Sequence, residues 1–418
     1  MRLRIHSPLF ILLLLPLCFG VFPMEAKREG ENSPKKKLLI LSSKGGGGHA
    51  AACTAVSQFV GEEYDIKIIH PIDQLRIWGV PACERIYNTM LQHGWIHLTN
   101  FIAKYIAPHI FYVREEKIEE MILMYLKSIQ PDLVVSLIPF INYPASEAAR
   151  KMQKPYLLIT TDNDLASWVL GLEKIKNPHF KVTISANLPS TRGLLLQKNI
   201  PEGAIETIGH PLRAEFFQGK DKEQIKREFG FTSSKPIVLI MMGGMGNGQA
   251  AHYAKAIGEH DLSIHLIVVA GRNEKVKRAV EAIPLHPSNE LTVFTFTDRV
   301  ADLMAISDVL ITKPGPGTLS EALSMHLPVF IDTMGSSLFW ERVNIDLVRQ
   351  YKVGSCIEDY DHLYRELRAY LHNPLYRLAL QERWMLLPLN TFHLRIKSLI
   401  DEMVEAGKGN DQYRVAFK

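Results

Sequence analysis

Several features that assign a function quickly are scarce in this chain. Four cysteines in 418 residues, Cys18, Cys53, Cys83 and Cys356, form no CxxC pair, which argues against a zinc ribbon or a thioredoxin-type site. Thiols so few and far apart make a poor disulfide framework and fit folding in a reducing compartment. Excess charge is scarce too. The 48 Lys and Arg against 44 Asp and Glu leave +4, with no clustered basic face to argue for nucleic acid. Gly 27 and Pro 23 are ordinary, so a collagen-like or low-complexity chain is excluded. What is present is apolar content: 47% hydrophobic residues suffice for packed cores, and the length suits two or three domains.

Long hydrophobic runs are also lacking. A run without charge near the start, from Pro8 to Phe22, is short for a spanning helix, which needs about 20 residues. Arg2, Arg4 and His6 precede it, as in a secretory signal. Neither Cys18-Phe19-Gly20 nor Met24-Glu25-Ala26 meets the small-x-small cleavage pattern, and Leu17 spoils a lipoprotein box. The competing reading is a membrane anchor. Lys27, Arg28, Lys35, Lys36 and Lys37 follow the run, and the positive-inside rule then keeps the large C-terminal part in the cytoplasm. A start at Met24 is a third reading.

Beyond residue 36, short β-rich runs alternate with amphipathic stretches. Strands are expected at 37–41, 64–69, 133–137, 156–160, 182–185 and 204–208. After the turn cluster Gly209-His210-Pro211-Leu212-Arg213, a second series is expected at 236–242, 264–269, 291–296, 309–312 and 329–332. Each half opens with strand, glycine-rich loop and helix. This is α/β grammar: two doubly wound, Rossmann-like domains facing a central cleft, with ligands at the carboxyl ends of the strands. The expected division is 1–36 as the signal-like or anchor segment, 37–212 as the first domain, 213–385 as the second and 386–418 as a helical tail.

The loop Ser42-Ser43-Lys44-Gly45-Gly46-Gly47-Gly48-His49 joins the first strand to its helix. It is neither Walker A nor a GxGxxG fingerprint. Its glycines allow close backbone approach at a helix N-terminus, where free N–H groups favour an anion or a polar oxygen. His49 stands at the helix start. There the dipole lowers its pKa and favours the neutral imidazole that a general base needs. The plainer alternative is a tight turn beside a surface histidine. A second glycine loop, Gly243-Gly244-Met245-Gly246, has an equally plain alternative in helix packing. A third, Lys313-Pro314-Gly315-Pro316-Gly317-Thr318, follows a strand and leads into a helix carrying Glu321. Gly315, Gly317 and Thr318 offer donors to a diphosphate, and Glu321 can accept both hydroxyls of a ribose. A carboxylate there also complements a helix dipole.

Taken in order, these pieces resemble family 28 glycosyltransferases of the GT-B fold, above all monogalactosyldiacylglycerol synthases and processive diacylglycerol glucosyltransferases. The matching residues include the 45–49 loop, Pro131-Asp132-Leu133-Val134-Val135-Ser136, Thr161-Asp162, 209–213, 243–246, Gly271-Arg272-Asn273, Phe296-Thr297-Asp298-Arg299-Val300, 312–318 with Glu321-Ala322, and Glu341 with Asn344. The resemblance implies an acceptor-binding first domain and a UDP-sugar-binding second domain. Gly243, Gly244, Gly246, Gly315, Gly317 and Thr318 would approach the diphosphate, and Arg272 would neutralise its charge. Phe296 to Val300 would hold the uracil, Glu321 the ribose, and Glu341 and Asn344 the sugar hydroxyls. His49 would deprotonate or orient the acceptor hydroxyl, with Asp162 as its helper. The stretch 334–341 departs from the synthases' Pro-Gly-Gln-Glu, which bears on sugar specificity, and Asp162 is followed by residues that lack the histidine of many relatives.

On the acceptor side stand Gly46, Gly47 and Gly48, together with Trp78 and Trp95 from an aromatic-rich stretch, 76–112, that has Arg85, His93, Lys104 and Arg114 as basic neighbours. Such a composition suits a membrane interface, or else two ordinary core helices. The implied activity is transfer of galactose or glucose from a UDP-sugar to diacylglycerol or another lipid acceptor at a membrane surface. The enzyme would be membrane-associated with its catalytic part on the cytoplasmic face. No metal and no covalent cofactor are expected, since the nearest DxD-like pair, Asp162-Asn163-Asp164, lies in the first half. The rival readings are N-acetylglucosaminyl transfer to a polyprenyl-linked lipid, a UDP-N-acetylglucosamine 2-epimerase-like enzyme, and a non-catalytic UDP-sugar binder.

Overall fold

The computed structural model describes residues 35–415 apart from positions 44, 46, 75, 78, 79, 82, 186, 187 and 245. The signal-or-anchor question and the expectations for Gly46 and Trp78 therefore fall outside the described residues. Among those described, no helix is long and apolar enough to cross a membrane. Cys53 and Cys356 are free thiols.

The first half contains β1 (Lys36–Leu41), β2 (Tyr64–Ile69), a small antiparallel ribbon of β3 (Arg76–Ile77) and β4 (Val80–Pro81), then β5 (Leu133–Ser136), β6 (Tyr156–Ile159), β7 (Phe180–Ile184) and β8 (Ile205–Thr207). The second contains β9 (Ile237–Met241), β10 (His265–Val269), β11 (Glu290–Phe294), β12 (Val309–Thr312), β13 (Val329–Asp332) and β14 (Gly354–Ile357). Both large sheets are six-stranded and parallel, in the orders β2-β1-β5-β6-β7-β8 and β11-β10-β9-β12-β13-β14. The main strands lie where the apolar runs predict them. The ribbon and β14 carry little apolar signal and were not anticipated.

Parallel strands are buried on both faces, so their side chains alternate between two cores. Leu39 and Leu41 point into one, with Ile118, Ile122 and Leu126 of the helix Glu115–Ile129. Leu38 and Ile40 point into the other, with Ala52, Val56 and Val60 of the helix Gly48–Val60. That second core holds a correction to the expected division. The tail helix, Phe392–Val415, is no appendage: Phe392, Ile396, Leu399, Ile400, Met403 and Val404 are all buried against the first sheet. Tyr64 donates to Asp401 at 2.5 Å, and Lys36 pairs with Glu405 at 3.0 Å. The chain thus passes to the second half near residue 210 and returns near residue 390. The two crossings are bonded to each other, by Asn390 Nδ2 to the His210 carbonyl (3.0 Å) and Thr391 Oγ1 to the Ile208 carbonyl (3.3 Å). Gly209, at φ +98°, has no room for a Cβ beside Asn390.

Candidate active site

Strand order explains why the glycine loops matter. In the first sheet, β1 and β5 are neighbours whose chains continue to opposite sides, which opens a crevice at their carboxyl ends. The loop after β1 lies there, and Gly47 (φ +91°) ends it as the N-cap of the helix Gly48–Val60. Its N-cap is a glycine with no side chain to cap it, which leaves the first N–H groups of the helix available to a ligand. Elsewhere, Asp221, Asp359 and Asn373 cap their helices with side-chain oxygens. Gly47 and Gly48 are exposed, with open space where a Cβ would stand.

His49, in the first turn, lies where three strand ends converge. Its ring bonds the backbone of Leu137, just after β5, and its Nδ1 is 3.4 Å from Thr161 Oγ1, just after β6. The ring centroid of Trp168 is 6.3 Å away. Burial lowers the imidazole to about 4, against an upward pull from the Leu137 hydrogen bond. The neutral form follows as the sequence predicts, but burial rather than the helix dipole is the leading cause. Asp162, the expected helper, accepts a hydrogen bond from Trp168 Nε1 at 2.9 Å, whereas Thr161 is the residue that meets the histidine. Burial raises the Asp162 carboxyl to about 7; the Trp168 bond opposes this, and Glu341 and Asp164 add to it.

The second half repeats the device, with β9 and β12 as the diverging neighbours. The loops after both strands face each other: a Cβ on Gly243 (φ +91°) would lie 3.2 Å from Lys313 Cε. The glycines divide into two kinds. Gly246 (φ +74°) and Gly271 (φ +65°) are needed for packing. A Cβ on Gly271 would come within 2.7 Å of the Gly244 carbonyl, and one on Gly246 within 2.6 Å of Asn273 Cβ. Arg272 N–H to the Gly244 carbonyl (3.1 Å) and Asn273 Nδ2 to the Gly246 carbonyl (3.0 Å) complete that junction. Gly244 and Gly317 have space instead: the nearest atom to a Cβ on Gly244 is the Phe296 ring at 4.0 Å, and nothing approaches one on Gly317.

Around these loops lie the remaining expected residues. The Arg272 guanidinium sits 3.8 Å over the half-exposed ring of Phe296. Val300 opens the helix Val300–Ile306. Gly315 is the N-cap of the helix Pro316–Ser324, again without a side-chain cap, and Thr318 and Glu321 lie along that helix. Burial raises the Glu321 carboxyl to about 7, opposed by Arg213. Lys313 Nζ bonds Glu341 Oε1 at 2.5 Å, and Glu341 Oε2 accepts from the Leu338 N–H at 3.3 Å.

Asn344 is fully buried; its Oδ1 accepts from Asn163 Nδ2 (2.8 Å) and its Nδ2 donates to the Pro314 carbonyl (2.8 Å). One bond at each end of the amide joins the two halves here. A second join runs from Asn100, whose Nδ2 donates to the Ser337 carbonyl (3.0 Å) and whose Oδ1 accepts from the Phe339 N–H (2.9 Å). These joins bring the two crevices together.

Three residues of this site were not singled out from sequence. Lys313 had a legible signal, a cation directly after a strand and before glycines. Tyr87 belongs to the aromatic stretch 76–112, whereas Asn100 had no signal, because its neighbours come from a distant segment. Tyr87 stands 3.8 Å from where a Gly45 Cβ would be, and burial raises its pKa, with Glu341 and Asp162 adding to the effect. Trp95 is exposed at the start of the helix Ile96–Phe101, its ring 5.3 Å from that of His93.

Residues 243–333, which include the second glycine loop and the Lys313–Thr318 segment, match the family model for the glycosyltransferase family 28 C-terminal domain. In this segment the chain is similar to family 28 glycosyltransferases. It is 27% identical over 308 residues to monogalactosyldiacylglycerol synthase 1, chloroplastic, of Arabidopsis thaliana, covering 66% of this chain and 54% of that protein. It is 25% identical over 205 residues to the processive diacylglycerol beta-glucosyltransferase of Bacillus subtilis (strain 168), covering 48% of this chain and 51% of that one. The chain thus spans about half the length of these curated relatives. Among solved structures, Acinetobacter baumannii MurG aligns with a TM-score of 0.59 at 14% identity, over 88% of this chain and all of that one. A Neisseria meningitidis UDP-GlcNAc 2-epimerase aligns at 0.55 and 14%, over 88% of this chain and all of that one. At that identity the likeness speaks for fold alone, and the fold of this chain is GT-B, two Rossmann-like domains about a cleft.

Proposed function

We propose that this protein transfers a hexose, galactose or glucose, from a UDP-sugar to the hydroxyl of diacylglycerol. The observation that carries the reading is the meeting of two dissimilar crevices through the Asn163–Asn344 bond. One holds a neutral histidine beside uncapped helix N–H groups. The other holds spacious glycine backbone, an uncapped helix start and a lysine. In the reaction, the acceptor oxygen attacks the anomeric carbon and its proton passes to His49. The bond from that carbon to the diphosphate breaks, and UDP departs with the electron pair. Preorganised N–H groups and a cation lower the barrier by stabilising charge growing on the diphosphate. A base neutral at working pH accepts the proton. This scheme assigns no step to a metal or a covalent cofactor.

The test is product formation from diacylglycerol with UDP-galactose and UDP-glucose supplied in parallel. A glycolipid made from one donor is the expected result and names the sugar. UDP release without a lipid product would move the assignment to an epimerase-like reaction, and a product formed only with a polyprenyl-linked acceptor would move it to that lipid class.

A lipid acceptor calls for a lipid-facing surface. Of the two readings of the aromatic stretch, exposure favours the membrane one. Trp95, and along the helical run 96–113 Leu98, Phe101, Tyr105, Ile106, Tyr112 and Val113, are exposed, while Thr99 and Phe111 are the buried ones. Inserting half-exposed side chains of this size is worth about 1 kcal/mol each. The triple variant Phe101→Ser, Tyr105→Ser, Tyr112→Ser is therefore expected to lose about a hundredfold in vesicle affinity by flotation, with UDP binding retained. Equal flotation of wild type and variant would remove this face from the reading.

A further inference from the structure

The donor crevice holds a cation whose part the scheme above leaves unassigned to a residue. Lys313 leaves the end of β12 and lies between the two glycine loops. Its Cε is 3.2 Å from where a Gly243 Cβ would stand, and its Cε and Nζ are 3.5 and 3.7 Å from the corresponding point on Gly315. Among the described residues, its ammonium hydrogen-bonds Glu341. The pair is lopsided: the carboxylate side chain is 5% exposed and the lysine side chain 36%. Glu341 is thus sealed beneath, and the ammonium faces the crevice. An ammonium has three N–H donors, of which Glu341 takes one. Two remain for a ligand, and Nζ lies beside Gly315, the N-cap of the helix Pro316–Ser324. A neutral ligand would gain little from such a set, whereas the two adjacent phosphates of a nucleoside diphosphate would use all of it.

We propose that Lys313 is the residue that neutralises the donor's diphosphate, and that Glu341 is a positioning residue that holds the ammonium between the two loops. This rests on the reading of a nucleoside-diphosphate donor given above. It also changes the expected division of labour. Arg272, assigned the diphosphate from sequence, has its guanidinium stacked on Phe296. Glu341, assigned the sugar, has both oxygens engaged with Lys313 and the Leu338 N–H.

Titration calorimetry with UDP and with uridine, on the whole chain, tests this. Lys313→Met is expected to weaken UDP by about 10- to 100-fold, the loss of a charge-assisted hydrogen bond, and to leave uridine binding alone. Lys313→Arg should recover part of the UDP loss. Glu341→Gln should keep or strengthen UDP binding, since the amide oxygen can still accept from Nζ and its negative charge is gone. Lys313→Met binding UDP as wild type does, or losing uridine equally, overturns the assignment of Lys313. Glu341→Gln weakening UDP as much as Lys313→Met overturns the positioning role as stated. A wild-type chain that binds neither ligand overturns the donor reading itself, and this proposal with it.

Discussion

With His49 replaced by alanine, glycolipid formation is expected to fall by about 10²- to 10⁴-fold while UDP still binds, because a positioned general base contributes on that scale. The pH dependence carries more information than the loss itself. His49 has its pKa lowered to about 4 and is neutral across the working range, so its own titration leaves the rate level above about pH 5. Asp162 has its carboxyl raised to about 7 and becomes anionic only as pH rises through that value. If the Asp162 carboxylate stabilises the imidazolium that forms at His49, the wild-type rate climbs with pH through about 7. In Asp162→Asn, that climb disappears and a lower, level rate extends into the acid range. A wild-type rate already level from pH 5 to 8 would show that ionisation of Asp162 takes no part. The route between them passes close to Trp168, which bonds Asp162 and faces the His49 ring. Trp168→Phe removes the N–H that stabilises the carboxylate, so the climb in rate should move to higher pH than in the wild type.

Ending the chain at Asn390 is expected to abolish folding of the first half, though the deleted segment contains none of the proposed site residues. Six apolar side chains from the tail helix are buried against the first sheet. Burying each contributes about 1.5–3 kcal/mol, so their sum rivals the whole stability of about 5–15 kcal/mol typical of a domain. The truncated chain should lack a cooperative thermal transition for that half. The single change Leu399→Ala should cost about 2–5 kcal/mol and leave the fold intact. A soluble, cooperatively melting truncation would mean that the tail only covers a core able to stand without it.

Much of this protein follows from local physics that its sequence states openly. Runs such as Leu38-Leu39-Ile40-Leu41 and Val238-Leu239-Ile240, short and followed by glycines, read as strands buried on both faces. Glycines directly after them mark where the backbone turns sharply into a helix. The neutral state of His49 was also legible, although its main cause, burial, was not. Gly246 and Gly317 are alike in the sequence, yet one packs two loops together and the other stands in open space. That difference depends on the Ala270–Asn273 segment, a neighbour set by folding.

What the tertiary structure decided is everything that depends on strand order. Placing β1 beside β5 and β9 beside β12 puts His49 against Leu137 and Gly243 against Lys313, residues far apart along the chain. The return of the chain at residue 390 turned an expected tail into part of the first core. Asn344 bonds both Asn163 and the Pro314 carbonyl, an interdomain contact that its place in the chain does not announce. Backbone preference and hydrophobic period act over a few residues and are written in the sequence. Which crevices open, and which polar groups must pair inside them, depends on contacts across the whole chain.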